Sequence, residues 1–234
     1  MRRPEALLWF ALLGVCGMAS ADPVDLKPFK ATYIAEWKGM TAAISTVELL
    51  RSGDDSYTYS SVNSARGLFR MAFPDALTQT STFKLVDGRV VPVNFRGMDE
   101  KDRPIDLNFD WQEKRVTGTA KERVVDLELP DGAQDAMSLQ IASLRGLASG
   151  KLSGSVWMID ANKLKEYELS LEGNARIDTE LGELDTVIYV SKRQNTDRLT
   201  RTWVAPALGY LPVKAESVRG KKTEVTLRIQ SVDR

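Results

Sequence analysis

Three groups of residues have types and spacings that could do chemistry. Ser81-Thr82-Phe83-Lys84 spells Ser-x-x-Lys, an arrangement in which the lysine activates the serine as a nucleophile. In the penicillin-binding enzymes that motif opens a helix and is joined by Ser-Asp-Asn and Lys-Thr-Gly. Neither companion occurs in this sequence, and Ser81 lies in a strand-like run over residues 78–86. It therefore reads as a strand residue. Glu180, Glu183 and Asp185 surround Gly182. A glycosidase needs two carboxylates converging on one bond, one of them with a raised pKa. These three flank a turn and read as solvent-exposed; they lack the spacing of a calcium loop as well. Asp99-Glu100-Lys101-Asp102-Arg103-Pro104 alternates sign and stops at a proline, which reads as a solvated loop between two strands.

The residues that are missing exclude more. The chain has no histidine and a single cysteine, Cys16. Ser-His-Asp and Cys-His nucleophilic arrangements are impossible without an imidazole base. The usual ligands of zinc, copper and non-haem iron are lacking too, so no metal or other cofactor is expected. Only chemistry run by carboxylates, lysine or tyrosine survives. Lys plus Arg number 32 and Asp plus Glu number 32, with the basic residues dispersed rather than clustered in sequence. Nucleic-acid binding is not expected from that balance.

The elements that must hold these side chains are mostly strands. Alternation of period two runs through the chain, the mark of strands with one buried face. Phe29, Ala31, Tyr33, Ala35 and Trp37 fall on one face; so do Ile105, Leu107, Phe109 and Trp111 in a second run. Val125, Leu127 and Leu129 form a third, Tyr167, Leu169 and Leu171 a fourth, and Val225, Leu227 and Ile229 a fifth. Turn residues separate them, among them Asp87-Gly88, Gly173-Asn174 and Arg219-Gly220. Two short runs, Val156-Trp157-Met158-Ile159 and Val187-Ile188-Tyr189-Val190, are apolar on both faces and read as strands covered on both sides.

One helix interrupts the strands. Asp131 and Gln134 form an Asp-x-x-Gln capping box after Pro130. Met137, Ile141 and Leu144 then recur at helical spacing, until Gly146 and Gly150. The expected fold is mainly β: an antiparallel, strongly curved sheet or incomplete β-barrel, with one helix at about residues 134–147 packed on its concave side.

The segment Arg66-Gly67-Leu68-Phe69-Arg70-Met71-Ala72-Phe73-Pro74 follows neither period and reads as a loop or a single helical turn. As a lid it would bring Leu68, Phe69, Met71 and Phe73 to a concave apolar pocket. Trp111, Trp157 and Trp203 would complete the lining, although a tryptophan in a strand is by default a packing residue.

At the N-terminus, Arg2 and Arg3 precede a continuous apolar run over residues 6–15, and Ala19-Ser20-Ala21 follows. This is the pattern of a cleavable secretory signal over residues 1–21, with cleavage between Ala21 and Asp22. The run is about ten residues, half of the roughly 20 that a membrane-spanning helix needs. Cys16 is placed where a lipoprotein carries its lipidated cysteine, but Val15 stands where that chemistry wants a small residue. Processing after Ala21 removes Cys16. A periplasmic protein without thiol or imidazole is then expected, in one domain over residues 22–234.

The stretch Thr202-Trp203-Val204-Ala205-Pro206-Ala207-Leu208-Gly209-Tyr210-Leu211-Pro212-Val213-Lys214 resembles a hallmark of the exported bacterial domain-of-unknown-function family 3108. Residues 29–39, Asp110-Trp111, residues 129–138 and residues 179–184 are similar to other parts of that family. The resemblance implies an exported, β-rich fold and supplies no activity. The sheet expected also resembles, at fold level, the half-open barrels of the Lol lipoprotein carriers. A non-catalytic envelope protein that binds a lipid-like or amphipathic ligand is thus the leading expectation. The alternatives are a protein-protein interaction module of the envelope and a carboxylate-dependent envelope glycan hydrolase.

Overall fold

The computed structural model describes residues 26–98, 101–152 and 154–234. The signal sequence with Cys16, Ala21 and Asp22 lies outside the described residues, as do Asp99 and Glu100 of the charged loop.

The strands are β1 (Phe29–Trp37), β2 (Met40–Arg51), β3 (Ser56–Ala65), β4 (Leu77–Val86), β5 (Arg89–Met98), β6 (Pro104–Asp110), β7 (Arg115–Ala120), β8 (Arg123–Glu128) and β9 (Gln134–Asp135). After a helix come β10 (Ser155–Asp160), β11 (Lys163–Thr179), β12 (Gly182–Arg193), β13 (Arg198–Ala205), β14 (Leu211–Arg219) and β15 (Lys222–Asp233). The helices are α1 (Phe69–Ala72) and α2 (Ser138–Ala148), with a 3-10 turn at Pro206–Leu208.

All fifteen strands form one sheet in the order β8-β7-β6-β5-β4-β3-β2-β1-β15-β14-β13-β12-β11-β10-β9. Every neighbour but one is also the neighbour in sequence, and hairpins build the sheet except for the short parallel pairing of β9 with β10 across α2. The exception is β1 against β15, antiparallel from Lys30↔Asp233 to Trp37↔Val225, which joins the two halves at the centre. The sheet does not close: β8 and β9 are its edges, although only residues 129–133 separate them along the chain. The expected antiparallel, curved, incomplete barrel is the fold observed.

Alternation explains the core. In β6, Ile105, Leu107 and Phe109 are buried while Asp106, Asn108 and Asp110 face outward. In β3 the inward positions are Tyr57, Tyr59 and Ser61. The inward face packs on Met137, Ile141, Leu144 and Leu147 of the α2 region. This covers the apolar side of a sheet that would otherwise meet water.

The alternation breaks where the ladder does. Leu171, directly before a register shift between Leu171 and Gly173, is 62% exposed, contrary to its place in the inward series. Trp37 and Trp157 are each 38% exposed; in the run at residues 156–159 Ile159 is buried and Val156 and Met158 are half-buried.

The helix differs from expectation at its start. Gln134 and Asp135 are not helical; they pair in parallel with Met158 and Ile159 as β9. The cap is Asp135, four residues beyond Asp131. Its Oδ1 accepts hydrogen bonds from Met137 N–H and Ser138 N–H, both at 2.8 Å, and its own N–H donates to Ser138 Oγ at 2.9 Å. This is a reciprocal Asp-x-x-Ser box. Asp131 is exposed and pairs with Lys114 at 3.3 Å. Pairing with β10 wins over helix for residues 134–135 because it satisfies their backbone at the sheet edge.

Candidate functional site

The antiparallel register gives the sheet two rims. One carries the turns after β1, β3, β12 and β14, together with the α1 segment. The other carries the turns after β2, β4 and β11. Helix α2 lies across the concave face between them. It is fixed at the second rim, where Arg145 Nε donates to the Gly88 carbonyl at 3.1 Å. On either side of it the concave face stays open. Leu139 and Ser143 of α2 line both openings.

The first opening is a cavity of about 440 Å3. Its walls are the inward positions of the central strands: Tyr33, Ser45, Tyr59, Ser61, Tyr189 and Thr202, with Val47, Met137, Leu139, Met158 and Leu227 between them. The period-two pattern puts the strand side chains inside, where small hydroxyl-bearing residues and tyrosines stand beside Val47 and Leu227. A concave face that curves around a helix leaves unfilled space wherever serine replaces a larger apolar residue. Hydroxyls then line that space. The tyrosines are anchored at their tips: Tyr33 O–H donates to the Pro212 carbonyl at 2.9 Å. Tyr59 O–H reaches Gln140 Oε1 of α2 at 3.4 Å. The Tyr189 hydroxyl is hydrogen-bonded with Thr202 and Ser143. Burial pushes all three phenols above their ordinary value, with the neighbouring Tyr59 adding to the effect on Tyr33. They are neutral hydrogen-bonding groups, not phenolate bases.

The second opening, about 800 Å3, lies on the other side of α2. Gln134, Leu139, Ala142, Leu152, Trp157 and Leu169 are among its lining residues. Gln134 is 4% exposed; its Nε2 donates to the carbonyls of Val90 (3.0 Å) and Gly132 (3.2 Å), while its Oε1 has no partner.

Between the cavities sits one buried acid. Asp135 is fully enclosed and also accepts a hydrogen bond from Ser81 Oγ at 2.6 Å. Burial raises its pKa, and the hydrogen bonds from Ser81, Ser138 and Met137 pull the other way without cancelling it. The Ser81 hydroxyl therefore serves the helix cap. Lys84 is exposed and lies on the opposite face of β4, so the Ser-x-x-Lys pair does not meet. Glu183 is on the surface and bound to Arg176 at 2.7 Å; Glu180 lies in the preceding turn. Among the described residues no group of three or more His, Cys, Asp and Glu could hold a metal ion.

The residues expected to line a pocket are dispersed. Only Trp157 is on the wall of either opening. Leu68, Met71 and Phe73 are exposed around α1, with Phe69 edge-on to Trp37 at 5.9 Å between ring centres. Trp111 is at the other rim, its Nε1 donating to the Pro92 carbonyl at 2.7 Å and its ring stacked on Phe109. Trp203 is buried next to Thr202 but on the opposite face of β13, and Lys214 Nζ sits 4.2 Å over its ring. Among the residues that do form the cavity, Ser45, Ser61 and Thr202 carry a readable signal: hydroxyls at inward positions of the alternation, where a filled core would place aliphatic side chains.

Among the described residues no helix is long and apolar enough to cross a membrane. The sequence matches the model of a family described as "Protein of unknown function (DUF3108)" over residues 32–226. No curated protein matches it. Among solved structures, the chain is similar to a predicted exported protein with a YmcC-like fold from Bacteroides fragilis: 9% identity, TM-score 0.42, 90% of this chain and 97% of that one. It is similar to the MucA/MucB complex of Pseudomonas aeruginosa at 11% identity and TM-score 0.39, over 88% of this chain and 51% of that one. A predicted lipoprotein from Parabacteroides distasonis is similar at 6% identity and TM-score 0.36, over 89% of this chain and 96% of that one.

Proposed function

The chain belongs to the DUF3108 family, and from that starting point we propose that it is a single-domain, non-catalytic periplasmic binding protein whose concave cavity holds an amphipathic small molecule. The observation that carries the reading is the 440 Å3 cavity walled by hydroxyls and aliphatic side chains in alternation. Its size falls within the range of ligand pockets, roughly 300–1,000 Å3. Its polarity suits a ligand with both hydrogen-bonding groups and an apolar body. Pure hydrocarbon would leave the Ser45 hydroxyl facing it unpartnered, which costs free energy. The non-catalytic half of the reading rests on chemistry: the chain has no histidine, Ser81 serves a helix cap, and Lys84 is on the other face.

A cavity-filling substitution tests this. Ser61 is 7% exposed on the inward face of β3, and Ser60 is on the opposite face. Ser61→Phe is expected to weaken binding of a fluorescent single-chain amphiphile by about tenfold or more, or about 1.4 kcal/mol. Ser60→Phe should bind as the unaltered protein does. Equal affinity in all three proteins, measured by fluorescence titration, would remove the cavity from the account.

A further inference from the structure

We propose that the rim carrying α1 is a docking surface for an anionic phospholipid bilayer. The observation is an apolar protrusion that the fold leaves uncovered. Leu68 is 81% and Met71 85% exposed, and Phe73 is exposed beside them. Long side chains held almost wholly in water are the informative exception among surface hydrophobics. They are held firmly. Met71 N–H and Phe73 N–H donate to the carbonyls of Leu68 (3.2 Å) and Phe69 (2.9 Å), and Phe69 is braced edge-on against Trp37.

Charge identifies the partner. The net charge is zero, but basic residues gather locally around α1. Lys38 follows Trp37, Arg66 and Arg70 bracket Leu68, and the adjoining β14–β15 turn adds Lys221 and Lys222. All five are exposed and none pairs with a carboxylate among the described residues; Lys38 Nζ lies 4.2 Å over the Trp37 ring. Glu36, Asp75 and Glu224 are the acids nearest to them in sequence, and Glu36 pairs with Arg228 at 3.5 Å. Leucine, methionine and phenylalanine projecting among lysines and arginines match a bilayer interface, where acyl chains receive the apolar side chains and anionic headgroups the cations. An acidic protein partner would use the cations, but it would need an apolar pocket of its own shaped to Leu68, Met71 and Phe73, which a fluid bilayer does not.

The docking rim goes beyond the cavity reading and stands without it, but the two are adjacent. Asn63 and Gln79 line the cavity, and Asn63 Nδ2 contacts the carbonyl of Leu77 (3.4 Å), where the chain returns from the α1 segment. A bilayer seated on this rim would face the cavity's nearest strand ends.

The test is co-sedimentation with vesicles, using the protein as the cell processes it. Its intact mass is measured first, so that an N-terminal acyl group is recognised. The protein is expected to pellet with vesicles containing phosphatidylglycerol, weakly with pure phosphatidylcholine, and less as salt rises. Leu68→Ser/Met71→Ser and Arg66→Glu/Arg70→Glu should each lower the bound fraction by about tenfold while leaving the melting temperature unchanged. Three results overturn the proposal: no pelleting with anionic vesicles, pelleting unaffected by both double variants, or a dimer in light scattering that Leu68→Ser/Met71→Ser converts to monomer. The last would assign the patch to a second copy of the chain. Amphiphile binding in these variants should match that of the unaltered protein, which separates a failure of docking from a failure of the cavity.

Discussion

Gly118→Ala is expected to destabilise the protein by about 4 kcal/mol, the sum of backbone strain of roughly 1–3 and steric overlap of roughly 1–3 kcal/mol. Gly118 lies in the middle of β7, paired with Leu107 of β6 and Val125 of β8. Its φ is +143°, a conformation that side-chain-bearing residues rarely adopt. A Cβ there would stand 2.0 Å from the Asp106 carbonyl oxygen and 3.0 Å from its carbon. Those are backbone atoms of a neighbouring strand and cannot swing aside. Gly182 provides the comparison: its φ is +97°, but nothing lies within 4 Å of the added Cβ. Gly182→Ala should therefore cost only the strain, about 1 kcal/mol. Urea denaturation followed by tryptophan fluorescence measures both. A Gly118→Ala midpoint close to that of Gly182→Ala would mean that β6 and β7 do not approach as described.

The second large effect concerns Asp135. Asp135→Ala should cost about 3–4 kcal/mol, because it removes the cap of α2 and leaves the Ser81 hydroxyl and two backbone N–H groups without their acceptor. Asp135→Asn keeps an oxygen for Met137 and Ser138 and offers its amide to Ser81 Oγ, which can turn to accept. It should stay within about 1 kcal/mol of the original. The two carboxyl states predict a pH signature. Burial raises the pKa in the folded protein above that of the unfolded chain, so folding favours the protonated form. Asp135 therefore opposes folding progressively as pH rises from the ordinary aspartate range through the raised value. Relative to Asp135→Asn, the unaltered protein should lose stability across that window and then level off. A difference between the two that is independent of pH would show that the carboxyl is not desolvated.

How much of this was legible depended on which interaction set each element. The inward series of β6 was readable because Ile105, Leu107 and Phe109 alternate with acids and asparagine, and nothing but burial decides their face. The curved antiparallel sheet followed from many such runs joined by tight turns. The helix start was misplaced by four residues because Asp131 and Gln134 satisfy a local capping pattern, whereas the pairing of Gln134 with Met158 is a long-range contact that no local pattern announces. The alternation places Leu171 inward but gives no sign of its exposure where the β11–β12 ladder becomes irregular. Large apolar side chains do not mark the cavity: they either fill space, as Trp203 does, or project from the rim, as Leu68 and Met71 do. Empty space is made by small residues. Ser45, Ser61 and Thr202 were the signal, and their inward parity made it visible in retrospect.

The central claim is that the concave face encloses a cavity occupied by an amphipathic molecule. Native mass spectrometry of the protein purified from its own cells, under mild detergent-free conditions, tests it most directly. The account predicts a species heavier than the processed chain by the mass of one small molecule, which organic extraction removes and which Ser61→Phe diminishes. A single species at the mass of the bare chain, unchanged by extraction and by incubation with single-chain amphiphiles, would contradict it.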